Sequence, residues 1–75
     1  MLLPDSIHPK HCVYYTGALV LQTLHRYGPM PLVDLFVEMK KSSGMSFRLL
    51  TMTLDWLYLI NAAVLNEKGE IILCS

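Results

Sequence analysis

The stretch Ser46–Ile60, SFRLLTMTLDWLYLI, limits what this chain can become more than any other. Phe47, Leu49, Leu50, Met52, Leu54, Trp56, Leu57, Tyr58, Leu59 and Ile60 are apolar, and only Ser46, Arg48, Thr51, Thr53 and Asp55 are not. Neither Gly nor Pro interrupts it. Ser46 suits an N-cap, because its hydroxyl can accept from an amide of the first turn that has no partner inside the helix. The stretch therefore reads as one helix. At about 100° per residue, Phe47, Leu50, Leu54, Leu57 and Tyr58 share one face. Leu49, Met52, Trp56, Leu59 and Ile60 make a second arc, and Arg48, Thr51 and Asp55 a narrow polar seam. A helix apolar nearly all round is buried on more than one side. A short chain is expected to cover only one of them, so the second arc calls for a partner.

The size of the chain sharpens that demand. Its 75 residues make one domain spanning 1–75, and a domain this small buries only about 60% of the surface its unfolded chain exposes. Yet 53% of the residues are hydrophobic and the mean hydropathy is +0.41. A membrane span needs about 20 consecutive apolar residues, and no run reaches that without Thr, Asp, Gln or Asn. The N-terminal MLLPDSIHPK lacks the basic region and long apolar core of a signal peptide. The expectation is a cytoplasmic subunit of something larger. Six basic and six acidic side chains balance. Phosphate contacts dominate nucleic-acid affinity, so a chain without a basic surplus is a poor candidate to bind DNA alone. Cys12 and Cys74 are the only cysteines. A disulfide would join the first helix to the last strand, but cytosolic thiols stay reduced, and two buried thiols are expected.

In chain order, Met1–His8 form an apolar arm, extended because Pro4 and Pro9 disfavour helix at the residues before them. Leu2, Leu3 and Ile7 equip it to dock. Pro9 opens a helix running to Tyr27. Val13, Gly17, Val20, Leu21 and Leu24 share its inner face, and Tyr15, Thr16, Gln22, Thr23 and Arg26 the other. Gly17 costs about 1 kcal/mol against Ala inside a helix, which points to a close crossing. Gly28-Pro29 ends this helix and Pro31 restarts the chain. Leu32, Leu35, Phe36 and Met39 then mark an amphipathic helix ending near Lys40-Lys41, where the lysines complement the helix dipole. Ser42-Ser43-Gly44 turns the chain into the Ser46 helix, which Asn61 ends. Val64-Leu65-Asn66 and Ile71-Ile72-Leu73 read as strands joined through Glu67-Lys68-Gly69-Glu70, with Gly69 at the turn. The order is that of an α+β, mostly α, winged helix-turn-helix domain: three helices and a C-terminal two-stranded wing, after an extended arm over residues 1–8.

Little in the chain carries chemistry. His8, His11 and Cys12 match no common zinc spacing and lack a second ligand pair. A phosphate loop, a nucleophile elbow and HExxH are all missing, and so small a domain hardly encloses a pocket. The expectation is a non-enzyme without cofactor, metal or small-molecule substrate. A DNA reading would rest on Arg48 and Thr51 of the second motif helix. Asp55 would face phosphates unfavourably there, and the wing turn is net acidic. Partner contact explains Met52, Trp56 and Leu59 better. If Trp56 is core instead, the interface falls to the first-helix face of Tyr15, Leu19 and Arg26.

The N-terminal LLPDSIHPKHCVYYTGALVL, an LP-x-x-x-I-H-P arm followed by an aromatic and a G-A-L-x-L helix, and the later SFRLLTMTLDWLYLINAAVLNEKGEIIL together resemble one family over nearly the whole chain. It is that of the small middle components of bacterial ABC-three-component systems, the group that includes Lamassu-type anti-phage defence. One departure is Asn61-Ala62-Ala63, where such domains often have a Gly before the wing; Asn can fill that role. The resemblance implies a non-catalytic subunit joining an SMC-like ATPase, which senses foreign DNA, to an effector such as a nuclease, with DNA contacted only through the complex. Winged-helix domains of kleisin-type proteins also bind SMC heads. The alternative from another class is a small homodimeric winged-helix transcription regulator reading DNA through Arg48 and Thr51.

The arm generates a prediction of its own. Leu2, Leu3 and Ile7 share no helical period with the core, so deleting Met1–Ile7 is expected to leave the melting temperature nearly unchanged and to weaken assembly with partners. Calorimetry beside a co-purification reads both, and a large fall in melting temperature would place the arm inside the domain.

Overall fold

The computed structural model describes residues 13–74. Their element order is α1 (Val13–Tyr27), β1 (Met30–Pro31), α2 (Leu32–Ser43), α3 (Phe47–Leu59), β2 (Ala63–Leu65) and β3 (Glu70–Leu73). The arm, Pro9, His8, His11 and Cys12 lie outside the described residues.

Local chemistry sets most of the boundaries. The Ser46 side chain accepts from the Leu49 amide at 3.1 Å and opens α3. α3 closes through Asn61 in the left-handed conformation, φ 59°. The Asn61 amide donates to the Tyr58 carbonyl at 3.1 Å and the Ala62 amide to that of Leu57 at 2.9 Å, the paired bonds that satisfy orphan carbonyls at a helix end. Gly28 and Gly44 close α1 and α2 with positive φ, where a side chain would be strained. α2 continues past the lysines to Ser43. The hairpin turn is tied by Asn66, whose Oδ1 accepts from the amides of Lys68 and Glu70, both at 2.9 Å.

The sheet corrects the two-stranded wing. Three antiparallel strands stand in the order β1-β3-β2, with Met30 opposite Ile71, and Ala63, Val64 and Leu65 opposite Leu73, Ile72 and Ile71. Two residues, one a proline lacking an amide to donate, leave no alternating pattern to read. The molecule is α+β, mostly helical, with three helices and a small three-stranded antiparallel sheet.

Val20 and Leu24 of α1, Leu35 and Met39 of α2, Leu50, Leu54 and Leu57 of α3, and Met45, Ala63 and Ile71 form the core. Gly17 sits at the crossing of α1 and α3: a Cβ built there would lie 3.1 Å from Cζ3 of Trp56. Beside it, the buried hydroxyls of Thr16 and Thr53 meet at 2.8 Å, and Thr53 donates to the Leu49 carbonyl. Thr16 therefore faces inward, not outward as its polarity had implied. A buried hydroxyl is stable when bonded, and a partner threonine stands opposite. Phe47 departs the other way. It is exposed, packed edge-on against Phe36 at 5.2 Å, because at the first residue of α3 it overhangs the core. Cys74 is a free, exposed thiol rather than a buried one, since it follows the last paired residue of β3.

The crossing gives a sharp expectation. Gly17→Val should lose about 2 kcal/mol, within the range for overpacked sites. In Gly17→Ala the gain in helix propensity of about 1 kcal/mol roughly offsets the crowding. Urea midpoints of both variants check this, and a Gly17→Val protein as stable as the parent would show that α1 and α3 tolerate wider separation.

Candidate partner interface

The outward face of α3 decides how the apolar surplus is used. Of the second arc, Leu49 and Trp56 pack against the domain's own core. Met52, Leu59 and Ile60 are exposed, at 52%, 80% and 49%. The arc is split because both α1 and β2 pack against α3, so more of the helix is covered than a one-sided core would allow. Trp56 is half-buried, laid over Gly17 and met edge-on by Tyr14 at 5.1 Å between ring centroids. Tyr14 itself is mostly exposed. Leu2, Leu3 and Ile7 are outside the described residues.

Of the two residues proposed to read DNA, Arg48 is exposed, and the Thr51 hydroxyl donates to the Arg48 carbonyl at 2.8 Å. Asp55 is exposed on the same helix. Burial, and after it the nearby Asp55 carboxylate, raise the Tyr58 hydroxyl above its ordinary pKa of 10.0. Both disfavour the phenolate.

One concavity joins several of these groups. An open groove of about 970 Å³ runs between α1 and the α2–α3 turn, with Tyr15, Leu19 and Arg26 on one wall, Arg48, Leu49 and Met52 on another, and Glu38 and Ser43 from α2. The structure thus unites the first-helix face with Arg48 and Met52, and leaves Trp56 and Leu59 outside the groove. Glu38 and Ser43 were not singled out in the sequence. No pattern marks them for the groove, since only the packing of α2 beside α1 and α3 brings this mid-helix and this helix-end residue to it. Among the described residues no three His, Cys, Asp or Glu side chains cluster to hold a metal, and no helix is long and apolar enough to cross a membrane.

Three helices against a small antiparallel sheet, with apolar side chains left on the outer surface of each helix, define a small α+β domain of mostly helical build. The chain belongs to the family of the ABC-three component (ABC-3C) system Middle Component 6, whose family model matches residues 3–74. The resemblance seen in the sequence holds at the level of middle components. Comparison with curated proteins and with solved structures returns no match.

The placement of Trp56 separates it energetically from its neighbours. Trp56→Ala is expected to lose about 2 kcal/mol of folding stability, less than the 3–5 kcal/mol of a fully buried aromatic. Met52→Ala and Leu59→Ala should stay within about 0.5 kcal/mol, as exposed positions do. Chemical denaturation of the three variants measures the contrast, and equal losses would contradict the packing of Trp56 on Gly17.

Proposed function

We propose that this middle component is a non-catalytic winged-helix subunit that bridges or caps an SMC-like ABC ATPase and its effector, a nuclease or similar enzyme, through protein–protein contacts. DNA is contacted indirectly, through the assembled complex. The setting is the cytoplasm of a bacterium defending itself against phage, in a system of the Lamassu type. Membership of a multi-component family supports a role in assembly. The observation that carries the reading is the solvent-facing Met52 and Leu59 of α3 with Ile60 at its C-cap. Contiguous exposed apolar surface on a small protein marks an interaction site. Trp56 joins them through its unburied edge, and aromatic anchors of that kind dominate interface energies. Leu2, Leu3 and Ile7 of the arm are assigned to partner binding on their apolar character alone.

A homodimeric winged-helix regulator is the lesser reading. Arg48 offers it one exposed cation on α3, the helix that also exposes the carboxylate of Asp55. The zero net charge of the chain weighs against it.

Co-expression with the ATPase and effector components of the same system tests the proposal. Both should be retained on the tagged protein, and Met52→Asp with Leu59→Asp should release at least one. Alone, the protein should self-associate in sedimentation. A soluble monomer that retains neither component, or sub-micromolar duplex binding abolished by Arg48→Ala, would defeat the subunit reading.

A further inference from the structure

We infer that the groove between α1 and the α2–α3 turn seats an acidic, apolar segment of another protein component of the system. The inference rests on the middle-component reading above and names the chemistry of the partner. Two cations from different helices, Arg26 and Arg48, line the groove against a single carboxylate, Glu38. Among the described residues neither arginine has an ion-pair partner. Both are exposed, so their forks are available to carboxylates, the planar anions they match best. Arg48 also lies in the first turn of α3, where the helix dipole favours a negative charge.

The apolar contribution comes from Tyr15 and Met52, half-exposed on opposite walls. Arg, Tyr and Met are the side chains that protein interfaces concentrate, and methionine adapts its shape to an apolar guest. A segment that inserts apolar side chains between Tyr15 and Met52 and presents Asp or Glu to the arginines matches the groove in both respects. Nucleic acid matches it less well. A strand brings a phosphate roughly every 3.4 Å, so a run of them lies against Glu38 with only two cations in answer.

The test uses the full chain co-expressed with the other components of its system. A photo-cross-linking amino acid replaces Met52, or, as a control, Val33 on the exposed outer side of α2. The Met52 site should give a cross-linked peptide from another component that carries Asp or Glu beside apolar residues, and the Val33 site should not. Arg26→Glu with Arg48→Glu should weaken retention of that component by about tenfold or more, because like charges are then juxtaposed. Changing the acidic residues of the cross-linked segment to Lys should restore it. If the double reversal unfolds the domain, Arg26→Gln with Arg48→Gln should still show the loss.

Full retention by the folded double variant overturns the groove assignment and leaves the subunit reading standing. A Met52 cross-link to a second copy of this chain, or to DNA, overturns it too. Failure of the unsubstituted protein to retain any component removes the subunit reading and this inference with it.

Discussion

The domain depends on how closely α1 can lie across α3. Gly17 allows it by having no side chain, since a Cβ there would already stand 3.1 Å from the indole of Trp56 and anything larger would press the helices apart. The threonine pair makes the approach specific. Thr16 and Thr53 can share a hydrogen bond at 2.8 Å only if the helices meet at one height and one rotation. An apolar pair at these positions would accept sliding, and a single unbonded hydroxyl would be destabilising by roughly 1–3 kcal/mol. A third threonine extends the same logic. One and a half to two turns on, Thr23 donates to its own helix at the Leu19 carbonyl and reaches the sulfur of Met39 on α2. One helix thus registers both others through hydroxyls on its inner side.

Much of this architecture was legible in the sequence, for reasons that differ by element. The ends of helices were readable because single residues decide them. Ser46 caps, and Gly28 and Asn61 take the left-handed conformation. The hairpin was readable because Gly69 and apolar runs on either side specify a turn, as its φ of 78° shows. The crossing was implied by Gly17, since nothing else justifies a glycine in mid-helix. Strand β1 was not readable, because its pairing with β3 is a tertiary event that two residues cannot announce. The inward turn of Thr16 was hidden for a related reason. A threonine is polar in a sequence and becomes core only when a partner such as Thr53 stands opposite.

The apolar surplus was visible, but its distribution was not. Periodicity assigned it to one arc of α3. The folded chain returns Leu49 and Trp56 to its own core and spreads exposed apolar groups across all three helices, with Tyr14 and Tyr15 on α1, Val33 and Val37 on α2, and Met52 and Leu59 on α3. The groove beside Met52 was equally beyond a one-helix reading, since its walls come from three elements. What sequence patterning measures is how much surface lacks a companion within one helix. Which part of it finds one inside the domain depends on the crossing angle and on the turns.

The strand order has a consequence for how the domain comes into being. β3 is the central strand, bonded to β1 on one side and β2 on the other, and it is synthesised after the other five described elements. While the ribosome is still making the hairpin, β1 has no neighbour to pair with, and the core lacks Ile71. Contacts so distant in sequence form late, after much loop entropy has been spent. The nascent chain therefore passes through an interval with three helices made and their apolar sides unsealed, a state prone to association. Translation timing, and whatever is nearby during that interval, bear on the yield of folded protein as much as its final stability does.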